Sequence, residues 1–278
     1  MSDKLKILIP TDFSVQADYA FLMVKNLERK ANLEVTFLHV LNVPDTVSID
    51  VNGMIETCGE IDNEYVISQK NIAEQKLNSI KMIHGNHIHT ALVYGKTTHE
   101  IIDYAEQNQF DLIVMGTKGL SGLRERIAGS EAQIIARKSS VPLLTLMCDR
   151  SDLEIQHLLL VHNFNDTHKQ DLSLMKKFSV IFGAKLHLLQ ITNKPIDSVR
   201  GEIEANMEKF ARINEVEDYE MHIVKDSDIE AGVIHFNQMS NMDIVCIGTH
   251  GKGGFFHTSA AEKLVNHMYK PIITFHLN

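Results

Sequence analysis

The chain has 278 residues, of which 44% are hydrophobic and 23% are charged, and its net charge is -9. This length is enough for two domains that each bury a core of their own. An acidic surface repels nucleic acid and anionic membranes, so we expect neither as the main partner. No apolar run approaches the roughly 18 residues that a membrane-spanning helix needs, and residues 1–5 do not form a signal peptide.

The three cysteines, Cys58, Cys148 and Cys246, are widely spaced and form no CxxC pair. Two of them lie in or beside apolar runs, where a free cysteine behaves as a small hydrophobic residue. Cysteines used in this way are typical of a reducing compartment, so we expect a cytoplasmic protein.

Short apolar runs and amphipathic segments alternate along the first half. The predicted strands are residues 6–10, 34–40, 87–93, 111–115 and 141–147. The predicted helices are residues 14–30, 60–82, 98–107 and 130–138, and a loop is expected around residues 42–58. Continuous apolar runs are typical of strands buried on both faces. The alternation therefore predicts an α/β fold with a doubly wound parallel sheet.

The same order repeats in the second half. Residues 157–161 correspond to residues 6–10, and residues 185–191 correspond to residues 34–40. Residues 243–251 correspond to residues 111–119, with identical aspartate, glycine and threonine positions. Three matches in the same order indicate an internal repeat, with a shorter segment between its second and third strands. We predict two domains, residues 1–149 and 150–278, which a short polar joint holds against each other.

A glycine-rich loop follows the strand at residues 111–115. Gly116, Gly119, Gly129 and Ser130 have the spacing G-x2-G-x9-G-S, and the last of them begins a predicted helix. Glycine lets the backbone approach a ligand closely, and a helix N-terminus supplies N–H donors for phosphate. Two glycines after a strand would indicate only a tight turn, but the full spacing favours a phosphate-binding loop. No GxxxxGK[ST] sequence occurs, so the chemistry of P-loop NTPases is not indicated.

Residues 10–14 (PTDFS), Val40 at the end of the second strand, and this loop resemble the universal stress protein family. The resemblance covers each half, so the chain resembles a tandem universal stress protein. It implies two flavodoxin-like or Rossmann-like domains, each an open five-stranded parallel sheet of order 3-2-1-4-5 with helices on both faces. It also implies a sensor or regulatory module of the stress response rather than an enzyme of metabolism.

In ATP-binding members of the family, the residues of this pattern hold the nucleotide. The resemblance therefore implies ATP, with Mg²⁺, as the ligand of the first half. It implies that Asp12 contacts the nucleoside, that the Val40 backbone contacts the adenine, and that the loop holds ribose and phosphates. An alternative for Asp12 is a helix-capping role beside Ser14. The complete implied site is Thr11, Asp12, Val40, Met115, Gly116, Gly119, Gly129 and Ser130.

The second half departs from this pattern. Its loop begins with Gly248 and Gly251, but Thr258-Ser259 aligns with Gly129-Ser130, so the third glycine is lost. A β-branched threonine tolerates positive φ badly. Asn163 also replaces the aspartate of the first half. We therefore predict that the second half binds no nucleotide, and that it braces the first half or has a different ligand.

The sequence leaves three other functions open. It contains no G-x-S-x-G or HExxH motif, so no catalytic centre is predicted, but a slow ATPase using Asp12 is an alternative. A nucleotide-independent interaction protein is a second. A flavin- or NAD-dependent oxidoreductase is a third, although the G-x-G-x-x-G fingerprint is missing.

Two further expectations concern metals and assembly. His84, His87 and His89 form an H-x2-H-x-H cluster, with the last two on a predicted strand. No cysteine or carboxylate completes a site of known spacing, so we predict surface or helix-capping histidines and no metal. The family resemblance implies association through the last strand of each domain, residues 141–147 and 272–277. We expect these strands to pair within the chain, and a homodimer in addition.

Overall fold

The computed structural model describes residues 4–43, 47–49, 55–57, 63–85, 87–117, 131–165, 168–250 and 255–276. In these ranges, strands and helices alternate in two successive series. The strands of the first half are β1 (Lys4–Pro10), β2 (Asn32–Leu41), β3 (Val47–Ile49), β4 (Ile55–Thr57), β5 (His89–Tyr94), β6 (Leu112–Gly116) and β7 (Leu143–Leu146). Its helices are α1 (Val15–Leu27), α2 (Asn63–His84), α3 (Thr97–Gln107) and α4 (Glu131–Lys138).

The second half repeats the series. Its strands are β8 (His157–Val161), β9 (Lys185–Thr192), β10 (Tyr219–Lys225), β11 (Ile244–His250) and β12 (Ile272–His276). Its helices are α5 (Ser173–Phe182), α6 (Ile196–Ile213), α7 (Ile229–Ser240) and α8 (Phe255–His267). Among the helices that the structure describes, none combines the length and the apolarity needed to cross a bilayer.

The ten main strands form one continuous sheet, in the order β10-β9-β8-β11-β12-β7-β6-β1-β2-β5. Within each half the five strands are parallel and follow the order 3-2-1-4-5, as predicted. The halves meet where β7 and β12 pair in antiparallel fashion, with Leu144 opposite Ile273. The predicted pairing of the two last strands within the chain is therefore confirmed.

Helices cover both faces of this sheet. On one face α1, α2, α5 and α6 share a single core that runs across both halves, and each contributes a buried side chain: Phe21, Leu77, Phe178 and Phe210. On the other face, α3 and α4 pack over the first half, and α7 and α8 pack over the second. The shared core follows from the shared sheet, because β7 and β12 bury side chains between the two helix pairs.

An aspartate that is identical in the two copies has the same structural role in each. The Asp111 carboxylate accepts a hydrogen bond from the Lys6 backbone N–H at 2.9 Å. The Asp243 carboxylate accepts from the backbone N–H groups of Gln156 and His157, both at 2.8 Å. Each aspartate thus joins the start of one strand to its neighbour in the sheet.

The joint between the halves is fixed by hydrogen bonds to both. The side-chain amide of Asn26 in α1 donates to the carbonyl oxygens of Arg150 and Leu153, at 3.4 and 2.7 Å. The Arg150 guanidinium donates to the Tyr269 carbonyl oxygen at 2.7 Å. The boundary expected after residue 149 falls in this joint, and its exact position stays a prediction.

The largest difference from the sequence prediction lies in the expected loop around residues 42–58. There β3 and β4 pair as a two-stranded antiparallel ribbon outside the main sheet. In the second half, β9 ends at Thr192 and α6 begins at Ile196, so no ribbon intervenes. This shorter connection agrees with the shorter second copy inferred from the sequence.

Candidate functional site

The candidate site lies at the carboxyl edge of the first half's sheet. Strand β1 stands between β2 and β6, and the chain crosses over in opposite directions on its two sides. Ligands of open α/β sheets bind outside the carboxyl ends of the strands at such a switch point. Thr11, Asp12, Val40, Met115 and Gly116 all lie at this edge, at or just after the ends of the three strands.

A tight turn carries the chain from β1 into α1. The Thr11 backbone N–H donates to the Leu38 carbonyl oxygen at 2.8 Å, and its hydroxyl oxygen accepts from the Phe13 N–H at 3.0 Å. The His39 Nδ1 donates to the Thr11 carbonyl oxygen at 2.7 Å, and the His39 ring lies against the Phe13 ring. These contacts hold Phe13 at a φ of 62°, a value that a bulky residue adopts only when its surroundings impose it.

Asp12 lies at the tip of this turn. One of its carboxylate oxygens accepts from the Ser14 backbone N–H at 3.0 Å, and the residue is exposed. The Ser14 hydroxyl, in turn, accepts from the Ala17 N–H and is the N-cap of α1. The capping role weighed for Asp12 therefore belongs to Ser14, and Asp12 presents its carboxylate at the edge of the sheet.

The backbone of Val40 lies beyond the last residue of β1. The pairing of β1 with β2 ends with Pro10 opposite Leu38, and Leu38 accepts the Thr11 N–H. Alternate residues of a strand direct their backbone groups to the same side. Val40 therefore directs its N–H and C=O to the side that β1 has left, while its side chain is buried.

Met115 and Gly116 end β6, and Gly116 has a packing reason to be glycine. A Cβ atom at Gly116 would lie 1.8 Å from the Gln16 carbonyl oxygen, so the first turn of α1 excludes any side chain there. Thr117, the next residue, is buried, and its hydroxyl has no hydrogen-bond partner in the described part of the chain. Sequence reasoning did not single out Thr117.

Glu131, the first residue of α4, is a second carboxylate at this edge. Removal of its carboxyl from water raises the pKa of Glu131, and the nearby charge of Asp12 raises that pKa further, although the residue as a whole is exposed. Sequence reasoning missed Glu131, and the signal available was its position directly after Ser130. Gly119, Gly129 and Ser130 lie outside the described residues.

The second half repeats the turn with different side chains. The His162 backbone N–H donates to the Leu189 carbonyl oxygen at 3.1 Å, and the His162 Nδ1 accepts from the Phe164 N–H at 2.9 Å. Phe164 has a φ of 54°, and the Asn163 side chain accepts from the Asn165 N–H at 3.2 Å. His162 and Asn163 thus take the positions of Thr11 and Asp12, and the carboxylate is lost.

The helix after the second loop begins before the aligned Thr258-Ser259 pair. Thr258 and Ser259 lie inside α8, which begins at Phe255. Gly248 pairs in β11 opposite Phe275 of β12, and Gly251 lies outside the described residues.

The histidines of the H-x2-H-x-H cluster separate in the structure. His84 ends α2 and lies against Phe21, and burial lowers the pKa of His84. His87 precedes β5, whose first residue is His89, so the expectation of two histidines on one strand was wrong. Within the described residues these three do not form a group of metal ligands.

Known proteins resemble this chain in both sequence and fold. Universal stress protein MJ0531 of Methanocaldococcus jannaschii is 31% identical over 141 residues, covering 51% of this chain and 81% of that protein. Universal stress protein MJ0577 of the same organism is 30% identical over 151 residues, covering 51% of this chain and 93% of that protein. The crystal structure of a universal stress protein from Archaeoglobus fulgidus shares the fold over 98% of both chains, with a TM-score of 0.72 and 18% identity.

The sequence model of the Universal stress protein family matches residues 5–146, which contain all the residues predicted for the site of the first half. Because this match spans more than half of the chain, the protein belongs to the universal stress protein family.

Proposed function

We propose that the first half binds one adenine nucleotide, ATP with Mg²⁺, at the carboxyl edge of its sheet. The observation that carries this proposal is the proximity of Asp12 and Glu131, because Asp12 lies in the turn after β1 and Glu131 begins α4, directly after the glycine-rich loop in sequence. The protein would then act as a stress-response sensor or regulatory module whose state depends on the bound nucleotide.

Each site residue has a proposed role in this complex. The adenine contacts the free backbone edge of Val40, and Thr11 and Asp12 contact the nucleoside. Met115 and Gly116 form the floor of the site at the end of β6. Gly119, Gly129 and Ser130 hold ribose and phosphates, and the buried Thr117 hydroxyl, which needs a partner, is an additional donor beside them.

The charges at the edge favour a magnesium complex over the free nucleotide. Asp12 is close enough to Glu131 for the charge of Asp12 to raise the pKa of Glu131. A triphosphate brought between two carboxylates adds further negative charge, which a divalent cation offsets. We therefore expect binding to weaken when Mg²⁺ is removed.

We propose that residues 1–149 form the nucleotide-binding domain and residues 150–278 a second universal stress protein domain with a degenerate loop. Asn163 lacks the charge of Asp12, and Thr258, which replaces the third glycine, lies within α8. The second domain supports the first through the β7–β12 pairing and the shared core.

Calorimetric titration of Mg²⁺-ATP into nucleotide-free protein tests this proposal. We expect one site per chain in the wild type and no binding by Gly129→Val, because a β-branched side chain blocks the phosphate loop. Thr258→Val, at the aligned position of the second half, is the matched control and should bind normally. Two sites per chain would refute the degenerate second domain. A wild type that binds no nucleotide would instead leave the interaction-protein hypothesis.

The Asp12–Glu131 pair favours a slow ATPase as the second candidate. A carboxylate with a raised pKa is a stronger base than an ordinary one and can take a proton from an attacking water. Sustained phosphate release that is lost in Asp12→Ala, and that is lost in Glu131→Gln with ATP binding retained, would support it. No release above the buffer rate would exclude it.

We place this function in a cytoplasmic homodimer. Cys148 and Cys246 are free thiols, and burial raises the pKa of Cys246 to about 12, which keeps it unreactive. Because β7 and β12 are already paired within the chain, the dimer must use another surface. Light scattering of the purified protein tests the dimer, and cell fractionation tests the compartment.

A further inference from the structure

Four polar side chains gather on one face of the second half's sheet, far along the sheet from the nucleotide site. This histidine cluster consists of His157, His187, Glu220 and His222, which lie on β8, β9 and β10. His187 of β9 pairs with Glu220 of β10 on one side and with Leu159 of β8 on the other. His157 lies two residues before Leu159 in β8. Because side chains alternate along a strand, these register positions place all four on the same face.

The cluster is in close contact. The His187 Nδ1 lies 3.0 Å from the His222 Nε2, and the two rings are stacked. A Glu220 carboxylate oxygen lies 3.5 Å from that Nδ1 and 3.8 Å from that Nε2. Two ring nitrogens and one carboxylate oxygen therefore form a small triangle.

The size of this triangle fits a metal ion. A circle through the three atoms has a radius of about 2.0 Å, which matches the Zn–N and Zn–O bond lengths of about 2.0–2.2 Å. An ion at its centre, or slightly above it, therefore reaches all three atoms with little movement. Two histidines and a glutamate also form the ligand set of several zinc sites with an open fourth position.

The surrounding side chains orient these ligands. The His187 Nε2 lies 3.0 Å from the His157 Nδ1, so His187 can donate its remaining N–H to His157 while Nδ1 faces the ion. The Lys185 Nζ lies 2.8 Å from the other carboxylate oxygen of Glu220. Outer contacts of this kind fix the tautomer and direction of metal-binding histidines and carboxylates.

We propose that His187, Glu220 and His222 bind one divalent transition-metal ion of the zinc type, with His157 and Lys185 as outer partners. His187 is buried, whereas Glu220 is exposed, so the ion enters from the Glu220 side. The site joins β9 to β10, which is the last strand of the ten-stranded sheet. Its proposed effect is to fix that edge strand.

The first half supplies an internal control. The register of β2 and β5 places Thr36, His89 and Ala91 at the positions of His187, Glu220 and His222. Only His89 among these three can bind a metal, so the duplicated sheet carries the site in one copy. His89 lies on β5, the strand that corresponds to β10, so a variant at His89 shows how much metal binds without a complete site.

Titration of Co²⁺ into untagged, chelator-treated, nucleotide-free full-length protein tests the proposal, because Co²⁺ in a zinc site absorbs visible light. We expect one Co²⁺ per chain, displaced by Zn²⁺. Glu220→Gln and His222→Gln should each weaken binding at least tenfold, and His89→Gln should leave it unchanged. His157→Gln should weaken it about tenfold through loss of the outer hydrogen bond.

The tested ligands Glu220 and His222 are less buried than His187, so their variants should fold, and metal-free melting curves matching the wild type check this. Absence of cobalt absorption in the wild type, or equal affinity in the wild type, Glu220→Gln and His222→Gln, would overturn the proposal. Neither outcome depends on nucleotide binding.

Discussion

Gly116 and Gly201 lie in very different surroundings, and this difference predicts opposite effects of the same substitution. A Cβ at Gly116 would lie 1.8 Å from the Gln16 carbonyl oxygen, whereas a Cβ at Gly201, in the exposed side of α6, would meet nothing within 4 Å. Gly116→Ala should destabilise the protein by about 1–3 kcal/mol or more through overpacking. Gly201→Ala should stabilise it by about 1 kcal/mol through helix propensity. Urea unfolding measures both, and a Gly116→Ala midpoint equal to the wild type would contradict the close approach.

The raised pKa of Glu131 predicts how this residue changes stability with pH. Burial and the charge of Asp12 favour the protonated form in the folded state. Glu131 therefore stabilises the fold below its unfolded pKa of about 4.3, and this contribution is lost as the pH rises through the folded pKa. The stability of the wild type relative to Glu131→Gln should fall as the pH rises above about 4. Urea unfolding at a series of pH values checks it, and a constant difference would show that the pKa of Glu131 is not raised in the folded protein.

At the residue scale, sequence reasoning located the turn at Thr11 and Asp12 and the glycine that ends β6. It could not give the packing reason for Gly116, because that depends on how α1 docks against β6. It also missed the Thr117 hydroxyl and Glu131. Their importance comes from burial and from a neighbouring charge, and neither is visible in a single sequence.

At the element scale, Asp243 holds the start of β8 more firmly than Asp111 holds β1. Asp243 is buried and accepts two backbone N–H groups, whereas Asp111 is partly exposed and accepts one. Hydrogen bonds to a charged group contribute about 1.5–3 kcal/mol, and burial increases the loss when they are broken. Asp243→Ala should therefore destabilise the protein by more than Asp111→Ala. Equal shifts in the urea midpoint would argue against this difference.

Most elements could be predicted from periodicity, because long apolar patterns determine which face is buried. The helix predicted at residues 98–107 is observed as Thr97–Gln107, and the strand at 157–161 as His157–Val161. The ribbon of β3 and β4 was missed, since strands of three residues leave no periodic signal. The histidine cluster was missed because it forms only through the register of three strands distant in sequence.

For the whole molecule, the antiparallel pairing of β7 and β12 makes each half complete the sheet of the other. Separated halves would each expose an apolar edge strand with unpaired backbone groups, and such edges pair with other chains. The fragments 1–149 and 150–278 should therefore self-associate when produced alone and form a one-to-one complex when mixed. Size-exclusion chromatography with light scattering distinguishes these states.

The control for this experiment is Ile273→Lys in the second fragment. Ile273 is buried opposite Leu144 at the centre of the junction, so a charge there should prevent the complex while leaving β8 to β11 in place. Fragments that stay monomeric and do not associate when mixed would mean that the joint, rather than the strand pairing, holds the halves together. A complex that Ile273→Lys abolishes would show that the two copies are structurally interdependent. In that case, the second half would be required to cover the edge of the first whether or not it binds a ligand of its own.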